Sequence, residues 1–151
     1  MKKKILSLVL TVCMVLSLLP ALSLPAAAGA QTKYYIGETY IGCWNNFDGY
    51  MITASVAGDG WTWTYVAAAN SKNAGTGTLT LTDAYIRGAD SSGRSYGAHL
   101  PADTTIVLNG DSTIASGTGS NYCVAVCCDG ALTIKDGDTD GTGSLSAVGG
   151  K

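Results

Sequence analysis

Two stretches of the chain superimpose without a gap at a spacing of 26 residues. Tyr96 falls on Tyr122, Leu100 on Val126, Asp103 on Asp129, Ile106 on Leu132 and Leu108 on Ile134. An earlier Leu79-Thr80-Leu81 matches Ile106-Val107-Leu108 at a spacing of 27. Units recurring at a near-constant period cannot bury their apolar face alone and must lean on a neighbour. Each copy offers short alternating segments separated by corners, such as Thr105–Asn109, then Asn109-Gly110-Asp111, then Thr113–Ala115. Gly and Asp supply the sharp turns, and Thr and the aliphatics suit strands.

Three strands recurring in a constant order describe one coil of a parallel β-helix. A β-meander would also give short strands and Gly-rich turns, but it needs no fixed order of strand and corner. Residues of neighbouring coils then stack about 4.8 Å apart. Leu81, Leu108 and Ile134 are expected in one aliphatic ladder, with Ile86, Ile114 and Leu145 in a second. Asp136 to Gly143 is an insertion confined to a loop. The fold class expected is therefore all-β, a right-handed parallel β-helix preceded by a signal helix.

The chain opens with Lys2-Lys3-Lys4, an apolar run from Ile5 to about Leu24, and Pro25-Ala26-Ala27-Ala28-Gly29-Ala30. A basic start, an apolar middle and small residues at the end make a secretory signal peptide, cleaved after Ala28 or Ala30. A membrane anchor is the rival, since roughly 20 apolar residues span a bilayer. Pro20 and Pro25 break the run, which favours the signal. Cys13 lies inside the run and does not mark a lipid-anchored start.

Residues 31–59 form an aromatic entry or capping segment, irregular in pattern, with Tyr34, Tyr35, Tyr40, Trp44, Phe47 and Tyr50 among Gly, Asn and Asp. Terminal units of a stack are atypical because they cover an apolar cross-section. Residues 60–151 hold the coils. The sequence stops directly after a strand, so the stack is expected to be incomplete at that end. Uncovered strand edges invite edge-to-edge self-association.

The leader carries three of the nine basic residues and none of the eleven acidic ones, so the mature chain has a net charge of −5. Lys33, Lys72, Arg87, Arg94, Lys135 and Lys151 are scattered, which disfavours nucleic acid, whose phosphates need clustered cations. Cys43, Cys123, Cys127 and Cys128 leave disulfide connectivity open. Cys123 and Cys127 would stand about 13 Å apart along a strand, too far to bridge each other. The sole histidine, His99, lies in a different repeat from the cysteines, and no Cys-x-x-Cys pair exists, so a zinc-type centre is not expected.

Gly60-Trp-Thr-Trp63, Gly77-Thr-Leu-Thr-Leu-Thr-Asp-Ala84, Thr104-Thr-Ile-Val-Leu-Asn-Gly-Asp-Ser-Thr-Ile114 and Gly130-Ala-Leu-Thr-Ile134 resemble the secreted bacterial carbohydrate-binding domain-containing right-handed β-helix proteins. The resemblance covers about Gly60 to Gly150. It implies a non-catalytic module for extracellular polysaccharide, secreted or associated with the cell wall, distantly akin to pectate-lyase-type folds and sometimes calcium-binding. It transfers no ligand-binding residue, because the matching positions are structural.

Two constellations are candidates for binding. Trp61 and Trp63 project on one side of a strand and could stack on sugar rings, with Trp44 as a third aromatic; the favoured reading is that these large rings plug the first coil. Asp136, Asp138 and Asp140 alternate before Gly141, as in a calcium loop. The helical calcium loop's closing carboxylate would fall on Ala147 and no helices flank the loop, so a plain solvated turn is the favoured reading and calcium the second. Asp103 and Asp129 are expected at equivalent corners, each bonded to its own backbone. Arg87, Arg94 and His99 sit at no recognisable catalytic motif, so no enzyme is expected. The rival readings are an adhesive surface solenoid and a fragment of a polysaccharide lyase.

Overall fold

The computed structural model describes residues 31–118 and 122–150; residues 1–30, expected from sequence to be a signal peptide, lie outside them. The described residues are all-β, with thirteen strands and no helix. None of them forms a helix long and apolar enough to cross a membrane.

The repeating part supplies β6 (Thr76–Thr82), β7 (Tyr85–Arg87), β8 (Arg94–Leu100), β9 (Thr104–Asn109), β10 (Asp111–Ala115), β11 (Tyr122–Cys128), β12 (Leu132–Asp136) and β13 (Ser144–Val148). Every pairing among these eight is parallel. β6, β9 and β12 lie side by side in one sheet, β7, β10 and β13 in a second, and β8 and β11 in a third. Alternation sets the faces: Leu79, Leu81, Ile106 and Leu108 are buried, while Thr80 and Val107 between them are partly exposed. Ile86 and Ile114 pair with each other in the second sheet, and Ala98 and Leu100 bring the third sheet's apolar face into the same core.

The register differs from the sequence expectation by two residues. Thr104 pairs with Leu132 and Arg94 with Tyr122, an interval of 28. Leu81 does stand beside Leu108, but Ile134 stands beside Ile106, and Leu108 faces Asp136. Likewise Val124 is the neighbour of Tyr96, and Ala147 rather than Leu145 continues Ile86 and Ile114. A slide of two keeps every side chain on its face, so apolar alternation cannot distinguish the two registers.

The corners decide between them. Ala84 N–H donates to Ser112 Oγ (3.0 Å), Asp111 N–H to Asp83 Oδ1 (3.0 Å), Gly110 N–H to Asp138 Oδ2 (2.7 Å) and Thr118 N–H to Asp90 Oδ1 (2.7 Å), each across 28 residues. Asp103 and Asp129 are consequently not equivalent. Asp103 holds a left-handed backbone conformation (φ 57°), whereas Asp129 N–H donates to the Leu100 carbonyl.

The segment expected to be irregular instead folds into antiparallel strands: β1 (Thr32–Ile36), β2 (Thr39–Asn45), β3 (Gly49–Ile52) and β4 (Ser55–Gly58), followed by β5 (Trp61–Val66). β1 joins the edge of β8, and β5 joins β6. These additions remove two strand edges that would otherwise lie open. Tyr34, Ile36, Ile41, Trp61, Trp63 and Tyr65 enter the same core as the leucines of β6. Among the described residues no buried side-chain nitrogen or oxygen lacks a partner.

Candidate functional site

The tryptophans read from sequence as either coil plugs or sugar-stacking rings are packed inward to different degrees. Trp63 has no exposed surface and Trp61 is 8% exposed. The Trp63 indole N–H donates to the Thr53 carbonyl (3.2 Å), and its ring stacks on Tyr65. A ring enclosed on all sides offers no face to a ligand. Trp61 borders only a shallow depression of about 240 Å³ with Thr62, Thr80 and Thr82. Trp44 is half-buried, tilted against Tyr50 and packed on the core.

The acidic loop also departs from the calcium expectation. Asp136 accepts from the backbone N–H groups of Asp138 (2.8 Å) and Gly143 (3.2 Å), Asp138 accepts from Gly110, and Asp140 accepts from Thr142 Oγ1 (2.8 Å). The three carboxylates serve three different donor sets. They do not gather among the described residues' clusters of metal-type donors.

Two other features adjoin one another on β8. The first is a cleft of about 540 Å³ between the end of β1 and the start of β8. Pairing between these strands covers only Tyr35 with His99 and Ile36 with Ala98. At Gly37 (φ 59°) the chain turns back into β2, and Gly37 N–H donates to the Gly97 carbonyl. Arg94 to Tyr96 therefore run on without a β1 neighbour, and the cleft opens there. Tyr35 and Tyr96 line it together with Lys33, Glu38, Asp90 and Arg94. Asp90 is already engaged by Arg87 (2.6 Å) and by Thr118 N–H and Oγ1 (2.7 and 2.9 Å). The Thr118 hydrogen bonds, with help from Arg87, hold its carboxyl below the ordinary carboxylate range. Among the described residues Lys33 and Arg94 take part in no ion pair.

The second feature is a cluster that sequence spacing hid. The 28-residue register sets Cys127 beside His99 on neighbouring parallel strands. Asp129, just beyond β11, turns back so that its Oδ1 lies 2.9 Å from His99 Nε2, while Tyr34 Oη donates to its Oδ2 (2.9 Å). The donor atoms of His99, Cys127 and Asp129 all lie within 4.8 Å of one another. Tyr96 stacks on the imidazole at 4.7 Å and Tyr34 tilts against it at 5.2 Å. Burial, followed by the Asp129 charge, pushes the Cys127 thiol upward. Burial and the hydrogen bond to Asp129 push the Tyr34 phenol strongly upward, so it stays protonated and acts as a donor. Cys43, Cys127 and Cys128 form no disulfide.

Comparison of the chain with family models, curated proteins and solved structures gives no match.

Proposed function

We propose that this protein is an exported, non-catalytic polysaccharide-binding module, built on a right-handed parallel β-helix, whose ligand occupies the cleft between Tyr35 and Tyr96. The parallel pairing of three strand sets at intervals of 27 and 28 residues supports the β-helix reading. The basic-apolar-small pattern of residues 2–30 supports export.

One observation carries the binding assignment. The cleft combines two tyrosine rings with Lys33 and Arg94, two cations outside the ion pairs of the described residues. Sugar rings present C–H faces that pack on aromatics, and their hydroxyl and carboxylate groups accept from Lys and Arg. Pockets of about 300–1,000 Å³ with a few convergent polar groups are the usual size for small ligands, here a short stretch of a chain. With Asp90 taken up by Arg87 and Thr118, Lys33 and Arg94 set against Glu38 leave one cation over, which favours an acidic polysaccharide such as a polyuronate over a neutral glucan.

Affinity electrophoresis in gels containing polyuronate or neutral glucan tests this reading. Retardation by polyuronate is expected, with Tyr96→Ala and Arg94→Ala each abolishing most of it while the circular dichroism spectrum is unchanged. Retardation that survives both substitutions would place the ligand elsewhere. A protein retarded by neither polymer would favour a structural role at the cell surface. Calcium-dependent growth of ultraviolet absorbance on pectic substrate would overturn the non-catalytic assignment.

A further inference from the structure

We propose that His99, Cys127 and Asp129 form a binding site for a divalent transition-metal ion of the zinc type. The proposal is independent of the saccharide reading and rests on geometry. Three side chains of three donor types, an imidazole nitrogen, a sulfur and a carboxylate oxygen, converge from two adjacent strands and the corner that follows them. Their donor atoms lie within 4.8 Å of one another.

In a tetrahedral centre with bonds of about 2.0–2.3 Å, donor atoms stand roughly 3.3–3.8 Å apart. A contraction of about 1 Å therefore brings the widest pair to ligating distance. The His99–Asp129 contact would open, its place taken by bonds from each residue to the ion. Nitrogen and thiolate ligands select a borderline ion such as Zn²⁺ or Co²⁺ over Ca²⁺ or Mg²⁺, which demand oxygen. Three protein donors leave a fourth position for water.

The surroundings fit that assignment. Tyr34 Oη already donates to Asp129 Oδ2, leaving Oδ1 for the ion, and such outer hydrogen bonds orient metal-binding carboxylates. The Tyr34 and Tyr96 rings wall the imidazole, whose residue's side chain is only 11% exposed. Ligation releases the thiol proton to solvent, so one proton leaves for the ion that enters. The rival account is a purely structural His99–Asp129 pair with Cys127 as a small apolar neighbour.

Titration of the reduced full-length protein with Co²⁺ separates the two. The site predicts one equivalent bound, with visible bands of a four-coordinate ion and a near-ultraviolet thiolate-to-cobalt band, both displaced by Zn²⁺. Cys127→Ser should remove the thiolate band, and His99→Gln and Asp129→Asn should each weaken binding by more than the roughly 10–100-fold that loss of an outer hydrogen-bond partner costs a metal site. Cys43→Ser and Cys128→Ser should leave the spectrum unchanged. A missing thiolate band, or one that persists in Cys127→Ser, would overturn the proposal. A second measurement needs no substitution: Zn²⁺ should slow alkylation of Cys127 by iodoacetamide, read by peptide mass mapping. Equal rates with and without Zn²⁺ would also overturn it.

Discussion

Trp63 is the largest of the fully buried side chains, and its neighbours are fitted around it. Gly77, the antiparallel partner of Tyr65, leaves the space that the indole occupies, because a methyl added at Gly77 would overlap the ring. Truncation by Trp63→Ala should lower unfolding free energy by about 3–5 kcal/mol, a large share of the roughly 5–15 kcal/mol typical of a domain. Gly77→Ala should cost about 1–3 kcal/mol by overpacking. Urea unfolding followed by tryptophan fluorescence measures both. If Trp63→Ala costs little, the ring is not the core element described here. Asp90 offers a pH-dependent counterpart. Its carboxyl titrates below the ordinary carboxylate range in the folded protein, so its contribution is present above that range and disappears as pH falls through the lowered value. Thermal midpoints of wild type and Asp90→Asn should therefore differ at neutral pH and converge in acid; a constant difference would refute the linkage.

At the scale of elements, the corners carry information that the strands lack. Asp83 (φ 47°) accepts from Asp111 N–H, and Gly110 (φ 74°) passes so close to the Asp83 carboxylate that no side chain fits there. Asp138 then accepts from Gly110 N–H, which links β6–β7, β9–β10 and the loop after β12 in one chain of hydrogen bonds. Gly110→Ala should destabilise by about 1–3 kcal/mol, through a left-handed backbone and displacement of Asp83 together. Asp83→Ala should cost about 0.5–1.5 kcal/mol by removing this exposed turn hydrogen bond. Hydrogen exchange at the Asp111 amide is the local readout, and it should quicken in both variants. Unchanged protection would show that the corner holds without the carboxylate.

For the molecule as a whole, burial falls off steeply from β6 and β9 toward β12 and β13. β6 and β9 hold Leu79, Leu81 and Ile106 in full burial, whereas on β12 Ile134 is 51% exposed and on β13 Val148 is 49% exposed. β11, β12 and β13 each end their sheet with one strand edge unpaired among the described strands. Such edges with apolar side chains are templates for association. Ile134→Lys should reduce concentration-dependent self-association in sedimentation velocity while changing stability by no more than about 0.5 kcal/mol, as for other exposed positions. A large loss of stability would mean that Ile134 is core in solution.

The all-β class, the strands at β5, β6 and β9, and the turn residues between them were legible because period-two alternation and Gly/Asp corners are local properties of a chain. The aromatic rings of β5 were legible as strand residues, and their size favoured packing over sugar stacking, although alternation alone identifies a face without saying which side is dry. Strands β1 to β4 escaped notice because their aromatics and glycines form no clean alternation, and pairing with β8 and β5 organises them from outside. The candidate centre was hidden for a related reason. Apolar patterning is unchanged by a slide of two residues, so it admits registers of 26 and 28 equally. Only the tertiary hydrogen bonds of the corners select 28, and that choice alone carries Cys127 alongside His99 and returns Asp129 to the same imidazole.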